Sequence, residues 1–190
     1  MVRAMKCCTV SLLALLVLGC SSLPSSDATQ NSGQTTQPPP SSSGDCQVVS
    51  HSKLEELFPV LQGFSRGMPK GETDTGEKVS RTTVDYEDRS GGAAVISVEL
   101  MDSCRNPHML SQLQEFLTTG PPATAGTVFR SIAVDGFPAY EEWTAESQHT
   151  EIHVLVAERF MVKVTGDLLN KGPVLNAAEE IDLPKLAALN

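Results

Sequence analysis

Gly63-Phe64-Ser65-Arg66-Gly67 has the Gly-x-Ser-x-Gly spacing that can expose a nucleophilic serine. That chemistry needs a strand, a sharp turn and a helix around the serine. Here a helical pattern precedes the string and Pro69-Lys70-Gly71 follows it, so the stretch reads as a loop and Ser65 is not expected to attack anything. Gly71-Glu72-Thr73-Asp74-Thr75-Gly76-Glu77-Lys78 has the spacing of a phosphate-cradling loop. Glu77 stands where the phosphate-binding lysine belongs, and Glu72 and Asp74 would repel a phosphate.

His149, Glu151 and His153 recur at every second residue, so a strand would place all three on one face. Two imidazoles and a carboxylate are donors that zinc accepts. Ile152, Val154 and Val156 fall on the opposite face, however, which is the pattern of a strand with one side on a core and one in water. The expectation is a solvated face and no metal. Glu141-Glu142 and Asp85-Tyr86-Glu87-Asp88 are acidic runs. Adjacent strand residues point to opposite faces, so Glu141 and Glu142 alone cannot make an acid–base pair. The runs read as solvated surface with at most a weak attraction for Ca²⁺. Phe137, Tyr140 and Trp143 are expected in the core or at a cleft edge, because no basic groove accompanies them to make a base-stacking platform. No catalytic constellation and no cofactor site emerges.

The elements that must position these residues follow from periodicity. Leu54, Leu57, Phe58 and Leu61 form a helical stripe over residues 50 to 61, which Pro59 is expected to cut short. Residues 66 to 77, rich in Gly, Pro and charge, read as an exposed loop. Val79 to Asp88 and Ala93 to Met101 alternate as strands about a Ser90-Gly91-Gly92 turn. Pro107 opens a helix whose stripe is Met109, Leu110, Leu113, Phe116 and Leu117, and Gly120-Pro121-Pro122 stops it. Thr127 to Val134 and Phe137 to Trp143 are joined by Asp135-Gly136, a hairpin signal. Two more strands follow, Thr150 to Ala157 and then Phe160, Val162 and Val164, about a turn at Glu158-Arg159. Weak helices are expected from Leu175 to Ile181 and from Leu183 to Leu189. Tight turns force antiparallel pairing, so the fold class is α+β, an antiparallel sheet of about six strands covered by helices.

The chain carries 14 Lys and Arg against 23 Asp and Glu, a formal net charge of −9. The acidic excess lies within residues 45 to 190, where 22 carboxylates face 12 basic residues. Such a balance excludes a basic nucleic-acid surface and a polybasic membrane patch. No apolar run reaches the ~18 to 20 residues that a membrane-spanning helix needs.

At the N-terminus, Arg3 and Lys6 precede an uncharged run with Leu12, Leu13, Leu15, Leu16, Val17 and Leu18, which ends in Gly19-Cys20. This is the size and polarity of a secretory signal. A small residue followed by Cys directly after that run resembles the lipobox of bacterial lipoproteins. The resemblance implies cleavage before Cys20 and acylation of its thiol, with residues 1 to 19 as the signal peptide. Two or three acyl chains hold a protein durably on a bilayer, each buried CH₂ contributing about 0.8 kcal/mol. Ser21 at the next position implies, by the same resemblance, the periplasmic side of the outer membrane if the host is Gram-negative. Residues 20 to 44 then read as the lipidated Cys and a disordered Ser/Pro/Gln tether, since Leu23 is its one large apolar residue. As a coil it spans about 27 Å. Residues 45 to 190 make a single globular domain. Once the signal is removed and Cys20 is lipidated, Cys46 and Cys104 remain in an oxidising compartment. They read as a disulfide, with two free thiols as the alternative.

Ser131-Ile132-Ala133-Val134-Asp135-Gly136-Phe137-Pro138-Ala139-Tyr140, followed by a strand and then by Arg159-Phe160-Met161-Val162-Lys163-Val164, resembles the second half of PsbP-like domains, which also occur in DcrB-type bacterial lipoproteins. The resemblance covers about forty residues and implies an antiparallel sheet in an α/β/α sandwich. Its members do different things, so no catalytic residue transfers. The functional expectation is a lipid-anchored envelope protein whose domain binds or scaffolds an envelope protein or a small ligand. The alternatives are a periplasmic binder of a small ligand or metal, and an envelope hydrolase using Ser65 or the Glu141/Glu151 region.

Overall fold

Val79–Asp88 (β3) and Val95–Asp102 (β4) alternate apolar and polar side chains and pair antiparallel, with Val84 opposite Val98 and Tyr86 opposite Ile96. They belong to a computed structural model that describes residues 46–122, 124–167 and 169–189. The proposed signal peptide, Cys20 and the tether lie outside the described residues. In chain order the elements are α1 (His51–Glu55), β1 (Phe64–Arg66), β2 (Lys70–Asp74), β3, β4, α2 (Pro107–Thr119), β5 (Thr127–Val134), β6 (Phe137–Thr144), β7 (His149–Val156), β8 (Phe160–Asp167), α3 (Lys171–Glu179) and α4 (Leu183–Ala187).

All eight strands form one antiparallel sheet in the order β1-β3-β4-β8-β7-β6-β5, with β2 also on β3. The sheet is therefore larger than the six strands expected. The two additions, β1 and β2, come from the stretch read as a loop. They line the outer edge of β3 one after the other, opposite residues 86–88 and 79–83 respectively. Gly67-Met68-Pro69 divides them, and Pro is tolerated there because an edge has an unpaired side. α1 ends at Glu55, earlier than the stripe suggested, yet Leu54, Leu57, Phe58 and Leu61 are all buried. The Tyr86 hydroxyl donates to the Pro59 carbonyl at 2.8 Å and ties this segment to the sheet. Burial pushes the Tyr86 hydroxyl up to about 12, although Arg66 pulls it down. α3 begins at Lys171 rather than Leu175, because Gly172 and Pro173 sit in its first turn, where a missing or unpaired N–H costs nothing.

One sheet face is apolar. Val84, Tyr86, Ile96, Val98, Leu100, Val162, Val164, Ile152 and Val154 lie beneath α1, α3 and α4, which contribute Leu54, Val174, Ala177, Ala178, Leu183 and Leu186. α3 approaches β8 so closely that a Cβ on Gly166 would stand 2.3 Å from Val174 Cγ2. Among the described residues the other face is covered by a helix at one end only. There α2 sets Leu110 and Leu113 over Tyr140 and Leu155, with Phe116, Leu117 and Met161 beside them. The β5–β6 hairpin turns at Asp135 and Gly136, both at positive φ (50° and 81°), the turn that matches strand twist. The Cys46 and Cys104 sulfurs lie at disulfide distance, with Cα atoms 5.8 Å apart.

Candidate functional site

The part of the second face that α2 leaves open carries most of the chemistry singled out in the sequence. Alternation along β7 puts His149, Glu151 and His153 there together, and β8 adds Lys163 directly opposite His153. His153 is buried and His149, Glu151 and Lys163 are partly buried rather than solvated, and they satisfy one another. Glu151 binds His153 Nε2 through Oε1, and the same oxygen lies 2.9 Å from Lys163 Nζ. Its Oε2 lies 3.6 Å from His149 Nε2, and His149 Nδ1 reaches Asp167 Oδ1 at 2.8 Å. Tyr140, opposite His153 on β6, stacks on its ring at 4.6 Å, and Phe116 of α2 meets Tyr140 edge-on at 5.7 Å. The charge alternation continues onto β4 and β3, where Arg81 Nε lies 3.3 Å from Glu99.

The three zinc-type donors are thus brought together, but Lys163 puts a cation against the carboxylate that a metal would need. No group of three or more His, Cys, Asp or Glu is arranged to hold a metal ion among the described residues. What the face can do is present alternating fixed charges, with protonation set inside the network. Burial alone would raise the Glu151 carboxyl, but the hydrogen bonds and charges of His153 and Lys163 override it and bring it down to about 2. Burial would likewise lower His149; its contacts to Asp167 and then Glu151 raise it instead. Burial, with Glu151 and Glu142 near, pushes the Tyr140 hydroxyl far above its usual range.

These shifts have opposite consequences for stability. A depressed carboxylate stabilises the fold fully above its ordinary value of 4.5, and that contribution is lost as the pH falls toward 2. A raised imidazole stabilises fully below 6.5, and its contribution is lost as the pH rises through its folded value. This cluster should therefore stabilise the domain most between pH 4.5 and 6.5. In melting curves from pH 2 to 9, Glu151→Gln should flatten the acid limb by about 2–3 kcal/mol. His149→Gln should flatten the alkaline limb. Limbs unchanged in both variants would mean the network carries no coupling.

The remaining residues fall elsewhere. Ser65 sits in the exposed edge strand β1 opposite Glu87, and the chain runs on into β2, so there is no strand–turn–helix elbow around it. Thr73 and Asp74, inside the phosphate-loop mimic, belong to β2 and its turn; Asp74 Oδ1 accepts from the Gly76 and Glu77 amides. Asp85 and Glu87 are exposed on β3, while Asp88 caps the following turn through Ser90.

Glu141 and Glu142 do point to opposite faces, but Glu141 is not surface. It points to the apolar side and is 1% exposed. Its Oε2 lies 3.0 Å from Arg130 Nη2 and 3.4 Å from Lys171 Nζ. Ala139, Glu141 and Trp143 share one parity on β6, and the register sets Ala139 opposite Val154 and Glu141 opposite Ile152, on the side of the core. Sequence reasoning also missed Asp102 and Arg159, a buried pair in which Arg159 Nε donates to Asp102 Oδ1 at 2.8 Å and Nη2 to Oδ2 at 2.7 Å.

No protein-family model, curated protein or solved structure matches the chain.

Proposed function

We propose that this chain is a lipid-anchored protein of the bacterial envelope, held by an acylated Cys20, whose domain binds or scaffolds an envelope partner. The observation that carries the reading is the sequence of Arg3, Lys6, an uncharged apolar run and Gly19-Cys20, followed by a Ser/Pro/Gln-rich stretch with Leu23 as its one large apolar residue. The half-covered sheet supports a binding role: α2 shields one end, and the ladder from Arg81 to Asp167 remains accessible for a partner of matching charge. A sheet with helices on both faces also supports membership of the PsbP-like sandwich type. Among the described residues no helix is long and apolar enough to cross a membrane.

Cys20→Ala is expected to move the protein from the membrane pellet to the soluble fraction. Intact-mass analysis of the natural product should show an N-terminus at residue 20 bearing added hydrocarbon. A Cys20→Ala protein that still sediments with membranes would overturn the anchor. Crosslinking in cells, with Lys163→Glu compared against the parent, should lose its specific envelope products if the ladder is the docking face.

A further inference from the structure

The sheet has two edges, and they are built differently. At one, β1 and β2 are strands of three and five residues. Gly67-Met68-Pro69 divides them, and Lys70, Glu72 and Asp74 charge the second. Short strands, Pro and charge are the usual protection of an edge against another chain. At the other edge, β5 is last in the strand order and runs for eight residues with no Pro or Gly. Its one charge, Arg130, is drawn onto Glu141. Val128, on the same strand, is 52% exposed.

The hairpin turn fixes which backbone groups of β5 point outward. Val134 and Phe137 flank the two-residue turn and exchange their backbone bonds across it. Bonded and unbonded pairs alternate from there, so Thr127, Phe129, Ser131 and Ala133 turn their N–H and C=O groups away from β6. The Thr127 amide accordingly donates to the Thr124 carbonyl at 3.1 Å. No backbone hydrogen bond from another described residue reaches the outward groups of Phe129, Ser131 or Ala133. Those groups form an open ladder for an extended strand.

β5 carries its own complement. Outward residues must oppose outward residues for the bonds to form, so one β5 meets another antiparallel only in registers that slip two residues at a time. With Ser131 opposite its own copy, Phe129 opposes Ala133, Val128 opposes Val134 and Arg130 opposes Ile132. This register joins the apolar faces of the two sheets and covers Val128. Sliding one step sets Arg130 against Arg130, a like-charge pair that destabilises. Sliding the other way shortens the pairing to residues 130–134. We infer that this chain forms a two-fold dimer in which the β5 strands of two copies pair antiparallel about Ser131 and continue the sheet. The guarded β1–β2 edge stops the assembly at two copies. The dimer needs neither the acyl anchor nor the charge ladder of the open face, so failure of either leaves it standing.

The experiment uses the full chain in detergent. Sedimentation should show a dimer with a Kd of about 10 µM, the weak end of the range for protein interfaces. Ser131→Pro removes only an outward N–H, which an edge strand tolerates, so the variant should fold and stay monomeric at tenfold higher concentration. Ala133→Pro, at the next outward position, serves if the first variant fails to fold. Under mild oxidation Ser131→Cys should link to its own copy at least tenfold faster than Val128→Cys, since Cα atoms of a bonded pair lie about 5.5 Å apart, within disulfide reach. Both positions are exposed, so chance collision would link them equally. Two acidic copies repel, so pairing should tighten as salt rises from about 10 to 150 mM, whereas an association held by the charge ladder would loosen. A monomer at every concentration would leave the edge to a strand of another protein and overturn the proposal. So would a dimer that survives both proline variants, equal linking of the two cysteines, or a dimer that salt dissociates.

Discussion

Asp102→Ala is expected to remove about 3–5 kcal/mol of stability, the usual cost of stripping one partner from a buried ion pair. Asp102 is 0% exposed and Arg159 5%. The carboxylate does more than neutralise the guanidinium. Its Oδ2 accepts from the Val49 amide and its Oδ1 from the Cys104 amide, both at 2.8 Å, while Arg159 Nη2 also donates to the Gln47 carbonyl at 2.8 Å. The pair thus joins the start of the domain, the end of β4 and the β7–β8 turn. It also stands over strained backbone: Ala157, Glu158, Cys104 and Arg105 all have positive φ between 49° and 60°. Each such residue costs about 1–2 kcal/mol unless its surroundings hold it. In urea titrations the variant should lose a large share of the total, since a domain of this size carries about 5–15 kcal/mol. Replacing both partners, Asp102→Leu with Arg159→Leu, should cost less than Asp102→Ala alone, because no buried charge is left behind. A single variant within 1 kcal/mol of the parent would show that the pair is not a structural hub.

Strands that carry their own pattern were legible. β3 coincides with the expected Val79–Asp88, and β5 to β8 follow from period-two alternation and the Asp135-Gly136 turn. β1 and β2 were not, because Gly67, Pro69, Gly71 and the charges of Lys70, Glu72 and Asp74 give them no alternation. Their stability comes from the ladder that β3 offers, which local sequence does not encode. The His149–Glu151–His153 face was legible as a face, but its half-burial was not. That depends on Lys163 arriving from β8 and on α2 delivering Phe116 over Tyr140. The Asp102–Arg159 pair spans 57 residues. Nothing in either local pattern says that the last residue of β4 will meet the last residue of a distant hairpin turn, because that neighbourhood exists only once β8 pairs with β4.

The same neighbourhood explains why removal of the Cys46–Cys104 link should have an effect of comparable size. Closing a loop across 58 residues of sequence separation stabilises by about 4 kcal/mol through the entropy it takes from the unfolded chain. Reduction, or Cys46→Ser with Cys104→Ser, should therefore lower the melting temperature by about 10–15 °C at this domain size. Non-reducing peptide mapping should find the two cysteines joined, and two free thiols in the natural protein would sink the claim. The two changes should not add. Gln47, next to Cys46, and the Cys104 amide are both contacts of the Asp102–Arg159 pair. The disulfide positions the segment whose Gln47 carbonyl and Val49 amide the ion pair binds, so losing either restraint weakens what the other contributes. Groups sharing partners in this way couple by about 0.5–3 kcal/mol. If the restraints support each other, reduction should cost the parent more than it costs Asp102→Ala, because in the variant the contacts that the link positions are already lost. Equal costs in both backgrounds would mean that the link and the ion pair hold the start of the domain independently.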